Sequence, residues 1–376
     1  MVTVCNKLIL TSQSLDKFFL HIWFLSFITC LGKLAFLPIF YLRKPFKRHK
    51  KNTLIPSHDE HQHKTDINLF SLILPALCDL TATTLFSLGL RFISGSVFKM
   101  FTVTGIIFTQ VISYFVLQNY TYRHHVLGIF VVCIGLVLIG YSTINEVSIE
   151  ISNIIIGLIL TVLGQFFISL QFIIEELIMR KHKCHPIKAV GYEGLWAIII
   201  MFFLLIIFEF IPCSQPDGKS LSYYLCNVDE HGNYYVETTI YALKQMGGNI
   251  LIFVNVVLFG VGYNLMVYSG ISFSNYSSAA ARTVIDTLRT ILIWVFFMMP
   301  FIELEFREHF LWLQLIGFIF LIIGNLIYNE MISLPCFNLN YYTKEKILER
   351  EKHESDPSNQ EKASKKNELS LQEVNA

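Results

Sequence analysis

Residues Ser278 to Met299 read SAAARTVIDTLRTILIWVFFMM, long and apolar enough to cross a bilayer as one helix, yet Arg282, Asp286 and Arg289 sit inside it. At 100 degrees per residue the three fall within roughly 60 degrees of one another, so they form one charged stripe on a greasy helix. Each charge at the centre of a span costs about 2.5 to 3.5 kcal/mol to insert, and three together require a polar surface to face. The stretch therefore implies an all-α polytopic membrane protein that encloses a polar path.

Composition points the same way. Hydrophobic residues make up 53% of the 376, aromatics 14% and charged residues only 15%, with a mean hydropathy of +0.53, whereas a soluble domain is about a quarter charged. The net charge of +1 argues for neither nucleic acid nor an acidic partner. Nine stretches are long enough to span the hydrocarbon as helices: 19–42, 69–90, 97–117, 124–142, 153–178, 189–212, 249–271, 278–299 and 310–331.

Lysines and arginines orient these spans. Arg43, Lys44, Lys47, Arg48, Lys50 and Lys51 follow the first, and Arg180, Lys181, Lys183 and Lys188 follow the fifth. Placing these loops and the C-terminal tail together collects 19 Lys/Arg on one side against 6 on the other. The positive-inside rule makes the richer side cytosolic and the N-terminus lumenal. Cys213 and Cys226 then share the long lumenal loop 213–248 and are the candidate disulfide. The sequons at Asn119 and Asn275 face the cytosol and are expected to stay unmodified.

The chain repeats itself. Span four holds Gly128 and Gly135, and span nine holds Gly317 and Gly324 at the same spacing. A serine-rich hinge precedes a charge-bearing span in each half, with Lys99 in the first and Arg282, Asp286 and Arg289 in the second. Expected domains are a lumenal segment 1–18, a first repeat 19–142, a second repeat 153–331 and a disordered cytosolic tail 332–376. The second repeat has five spans and the first four, so a leading helix is expected to be missing from the gene model or from the protein. An odd number of helices per unit inverts the second repeat and puts a site at the repeat interface.

Several segments resemble a known family. Pro75 to Thr83, Gln171 to Glu176, Lys181 to Leu195 and Arg282 to Thr290 are similar to the F branch of solute carrier family 35. That branch belongs to the EamA-like drug/metabolite transporter superfamily, whose relatives include the nucleotide-sugar transporters. The resemblance runs from about residue 19 to 331 and implies ten helices in two inverted repeats, with spans two, three, seven and eight lining a cavity. Lys33 and Lys99 depart from the family pattern, which looks acidic at the first position and neutral at the second.

The candidate substrate-binding or gate residues are Arg282, Asp286, Arg289, Lys99, Gln110, Asp79, Gln165, Glu176 and Glu193. For the triad in span eight the plain alternative is an internal ladder, with Arg282 and Asp286 an i,i+4 pair and Asp286 and Arg289 an i,i+3 pair. One carboxylate leaves one cation over, to be matched by an anionic substrate or a gate carboxylate. Lys99 shares a polar stripe with Thr102, Gln110 and Ser113, or else snorkels to the lumenal edge. Asp79 caps the start of its helix or pairs with Lys33 or Lys99. Glu176 ends a stripe of Thr161, Gln165 and Ser169 that would line a path or hold a coupling proton. Glu175 is expected to pair with Arg180, and Glu193 to join a cytosolic gate.

His58, His61 and His63 beside Asp59 and Glu60 read as a solvated loop, so no metal and no cofactor is expected. Without a P-loop or nucleophile elbow, enzymatic and ATP-driven activity are not expected. The resemblance implies a secondary-active transporter of a polar, anionic organic metabolite, nucleotide-sugar-like, working by alternating access in an endomembrane such as Golgi, lysosome or vacuole. The other reading is a non-transporting membrane scaffold that kept the fold. Expected partners are a small-molecule organic substrate and the lipid bilayer, with no nucleic acid. Glycine-rich spans four and nine are the expected end helices and the contact that a homodimer would use.

Overall fold

A computed structural model describes residues 5–6, 8–9, 12–14, 17–42, 69–118, 122–146, 151–182, 185–213, 226–229, 232–276, 282, 285, 289–290, 292–293 and 311–330. Seven helices there are long and apolar enough to cross a membrane: Ile22–Leu42, Leu69–Phe92, Gly95–Val116, Arg123–Ile144, Ser152–Lys181, Pro186–Phe210 and Ile250–Phe273. A shorter apolar helix, Trp312–Tyr328, follows. They match spans one to seven and nine to within a few residues; most of span eight lies outside the described residues. The protein is an all-α polytopic membrane protein.

Helices are labelled α1 Ile22–Leu34, α2 Ile73–Phe92, α3 Gly95–Phe101, α4 Gly105–Val116, α5 Arg123–Glu146, α6 Ile151–His182, α7 Pro186–Phe210, α8 Thr239–Gly248, α9 Ile250–Tyr276 and α10 Trp312–Tyr328. Local chemistry sets several ends. Pro186 opens α7, where its missing N–H costs nothing, and the His185 ring accepts from the Ile187 N–H at 3.3 Å. Ser94 caps α3 by accepting from the Val97 N–H, and only Ile93 and Ser94 separate α2 from α3, which fixes an antiparallel turn. Span three is one helix by hydropathy, yet a 3-10 turn at Thr102–Thr104 divides it into α3 and α4. Thr102 and Thr104 each donate to a carbonyl three residues back, which tightens the backbone there.

Three helix pairs carry much of the packing: α5 with α10, α2 with α6, and α1 with α7. The repeated glycines meet one another in the first pair. A Cβ on Gly128 would lie 2.8 Å from the Gly324 carbonyl oxygen, and one on Gly135 2.6 Å from that of Gly317. The glycine faces of these two expected end helices are therefore used inside one chain. Without water to drive association, such close backbone approach is a main source of helix attraction in lipid.

The described residues of the segment 213–248, expected to be a loop, include regular structure. A disulfide joins Cys213 to Cys226 with an S–S distance of 2.01 Å. Strands β1 Asn227–Val228 and β2 Tyr234–Tyr235 pair antiparallel around Gly232, whose φ of +84° suits a residue without a Cβ, and α8 follows. Cys5, Ile9 and Phe19 from the N-terminal segment are buried against Ala242, Ile252 and Val256 of α8 and α9.

Candidate functional site

Lys33 is fully buried in α1 (0% exposed) and brings two carboxylates from other helices to its ammonium. Its Nζ lies 2.6 Å from Asp79 Oδ2 on α2 and 2.7 Å from Glu193 Oε1 on α7. Gly194 permits this, because a Cβ there would stand 2.6 Å from the Leu34 nitrogen and from Lys33 Cβ. The Tyr263 hydroxyl of α9 donates to the second oxygen of Asp79. From Glu193 the network runs on through α6: Gln171 Nε2 donates to Glu193 Oε1 at 3.0 Å and to Glu175 Oε1 at 2.7 Å. Arg282 Nη1 closes it, donating to Glu175 Oε2 at 2.7 Å, while its guanidinium lies 3.7 Å from the centre of the Phe172 ring.

Five helices and span eight thus share one buried polar chain. Three carboxylates face two cations, so full ionisation leaves a charge of minus one. A buried ion pair of this kind adds little net stability over apolar packing but is costly to break on one side only.

The expected candidates divide. Asp79, Glu193 and Arg282 meet in the network. Asp79 does not cap its helix: it sits within α2, whose N-cap residue is Leu72, and holds Lys33. Glu175, expected to pair with Arg180, reaches Arg282 instead, and it is Glu176, expected to line a path or hold a proton, that pairs with Arg180 one turn on. Glu176 faces along its own helix, whereas position 175, one turn after Gln171, faces α7 and span eight. Thr161, Gln165 and Ser169 are buried where α6 packs on α2 and α4: a Cβ on Gly105 would lie 2.2 Å from Gln165 Nε2, and Ser169 Oγ donates to the Gly105 carbonyl at 3.3 Å. That stripe is a helix contact. Gln110 accepts from the Tyr328 hydroxyl and ties α4 to α10. Lys99 is half-buried, its Nζ 5.9 Å from the centre of the Phe98 ring, and Arg289 is half-buried. Asp286 and His58, His61 and His63 lie outside the described residues.

Sequence reasoning did not select Lys33, Gln171 or Tyr263 as site residues. Lys33 carried a signal, a charge within an apolar span, but Gln171 and Tyr263 are ordinary polar interruptions. It also passed over a second buried cluster at the other end of α1. There His21 Nδ1 lies 2.5 Å from Glu237 Oε1 and His21 Nε2 3.1 Å from Gln245 Oε1. Glu237 also accepts from the backbone N–H groups of Phe24 at 3.2 Å and Thr238 at 2.9 Å.

Comparison with known proteins gives a consistent result. A family model described as purine nucleobase transmembrane transport (PUNUT) matches residues 2–210. Solute carrier family 35 member F6 of Rattus norvegicus is 30% identical over 304 residues, covering 80% of this chain and 76% of that protein. The Homo sapiens protein of the same name is 30% identical over 305 residues with the same coverage. An uncharacterized protein of Schizosaccharomyces pombe is 29% identical over 290 residues, 77% of this chain and 82% of that one. With seven apolar spans among the described residues, a buried polar network across them and these relatives, the chain belongs to the F branch of solute carrier family 35 and is a multi-pass membrane transporter.

Proposed function

We propose that the protein is a secondary-active transporter that moves a polar organic solute by alternating access between two inverted repeats, 19–142 and 153–331, with the Lys33 network as its cytosolic gate. The observation that carries this reading is the composition of the network. Lys33 and Asp79 come from the first half, and Gln171, Glu175, Glu193, Tyr263 and Arg282 from the second. A closure between repeats is what alternating access must break. Pairing of Gly128 with Gly324 and of Gly135 with Gly317 supports the repeat boundaries. The basic loops orient the gate toward the cytosol of an endomembrane, with the N-terminus lumenal and the C-terminal tail 332–376 cytosolic.

The solute we favour is an uncharged nucleobase-like heterocycle. Its N–H donors suit a site richer in carboxylates than cations, its flat face suits Phe172 and Tyr263, and the matching family model is described by purine nucleobase transport. The extra carboxylate leaves room for one positive charge, which a coupling proton supplies. The anionic, nucleotide-sugar-like solute expected from a spare cation loses Arg282, which Glu175 matches. That reading rests instead on Lys99 and Arg289, both half-buried. A homodimer would use the outward faces of α5 and α10, including Phe130 and Trp312, since their glycines face each other.

Counterflow into liposomes, run with a panel of nucleobases, nucleotide sugars, amino acids and organic anions, tests these readings together. We expect saturable exchange of a nucleobase that Glu193→Gln abolishes. Exchange of only anionic solutes favours the second reading. No exchange across the panel, with Glu193→Gln changing abundance alone, supports a non-transporting scaffold.

A further inference from the structure

The first turn of α5 carries two adjacent histidines, and the chain leaves α10 through Glu330 at the same end of the molecule. His124 Nε2 stands 3.0 Å from Glu330 Oε1. The two histidine rings have centroids 4.1 Å apart, and one donor atom from each of His124, His125 and Glu330 lies within 4.8 Å of the other two. We propose that these three residues form a site for a divalent transition-metal ion of the zinc class, which clamps the start of α5 to the end of α10.

The donor set supports this assignment. Two imidazoles and one carboxylate suit Zn²⁺, Fe²⁺ or Co²⁺, and with both rings neutral they offer one negative charge to a divalent ion. A plain His–Glu ion pair needs only one histidine, whereas here the second also brings a ligand atom within 4.8 Å of the other two. Glu330 has φ +60°, a left-handed conformation beyond a helix end where glycine or asparagine is usual. A glutamate held there costs about 1–2 kcal/mol, and this bend belongs to the residue whose carboxylate reaches His124.

Geometry asks for a small adjustment. Donors at about 2.0–2.2 Å from zinc in a tetrahedron lie roughly 3.3 Å from one another. His124 and Glu330 already meet that spacing. Rotation of the His125 ring closes the rest, exchanging the bond that its Nδ1 accepts from the Tyr122 N–H at 3.2 Å for a metal bond. Behind the site, the Gly128 and Gly324 backbones hold α5 and α10 together, so the ligands do not depend on metal to be brought near.

The test uses the full chain, purified in detergent through a histidine-free tag, equilibrated with zinc, desalted and assayed for bound metal by mass spectrometry. Wild type is expected to retain close to one zinc per chain. Glu330→Gln and His125→Asn, eluting as wild type does, are expected to retain less than about a tenth of that. Zinc is expected to raise the unfolding temperature of wild type and not of either variant. If Glu330→Gln aggregates, His125→Asn with His124→Gln decides by the same measurement. No zinc retained by wild type, or equal retention by the variants, overturns the site and leaves a His124–Glu330 ion pair.

Discussion

Removing the Lys33 ammonium would leave Asp79 and Glu193, each 1% exposed, without the cation that both contact. Lys33→Met should therefore lower stability by about 3–5 kcal/mol, read as a fall in unfolding temperature in detergent. Adding Asp79→Asn and Glu193→Gln to Lys33→Met should restore most of that loss, because neutral amides do not require a cation, while counterflow stays absent. Recovery of transport with stability would show that the network only holds the fold. A milder change separates position from charge. A Cβ on Gly270 would stand 2.4 Å from Arg282 Nε, a flexible side chain, so Gly270→Ala should cost little stability yet displace Arg282 from Glu175 and slow counterflow. As costly charges in apolar spans, Asp79, Glu193 and Arg282 were legible in the sequence. Their partners were not: the contacts join residues 46, 160 and 107 positions apart, and hydropathy carries no information on which face meets which.

Helices α5 and α10 meet with backbone atoms of one among the nearest neighbours of the other's glycines. A Cβ on Gly324 would lie 2.8 Å from the Gly128 carbonyl oxygen, so Gly128→Val or Gly324→Val should force the pair apart at a cost of about 1–3 kcal/mol. Gly247 in α8 is the control, since nothing lies within 4 Å of a Cβ there, and Gly247→Ala should leave the unfolding temperature unchanged or raise it. Equal effects at Gly128 and Gly247 would rule out close packing as the role of the repeated glycines. The spans themselves were readable because about 20 apolar residues in a row have few other fates. The break at Thr102–Thr104 was not, for no proline or glycine lies within it and threonine is common in apolar spans. Nor was α8, a single short helix in a polar connection whose burial depends on the N-terminal segment and α9.

Across the molecule, the span Ile22–Leu42 is held by buried polar groups at two levels: Lys33 near its middle with Asp79 and Glu193, and His21 at its N-terminal end with Glu237 and Gln245. The alternating access proposed above requires that the two clusters open in turn, so weakening either should expose the interior from that side alone. Thr84 of α2 borders a cleft with Trp23 and Asn227 near the His21 cluster and is a suitable reporter. In sealed vesicles of known orientation, Thr84→Cys in a background lacking other free cysteines should react slowly with a membrane-impermeant thiol reagent. Adding Glu237→Ala removes the acceptor for His21 and for the Phe24 and Thr238 amides, and should speed reaction from the lumenal side. Adding Lys33→Met should speed it from the cytosolic side, provided the stability loss does not unfold the chain, which elution volume reports. A strong rise from both sides in either variant would mean unfolding or a leak, and no change in either would mean that these clusters are not gates. In the proposed orientation the His21 cluster is also tethered by Cys213–Cys226, because Asn227, next to Cys226, donates to Glu237 Oε1 at 3.3 Å. Reduction of that bond should therefore reproduce part of the Glu237→Ala effect on the lumenal side and leave cytosolic reactivity unchanged.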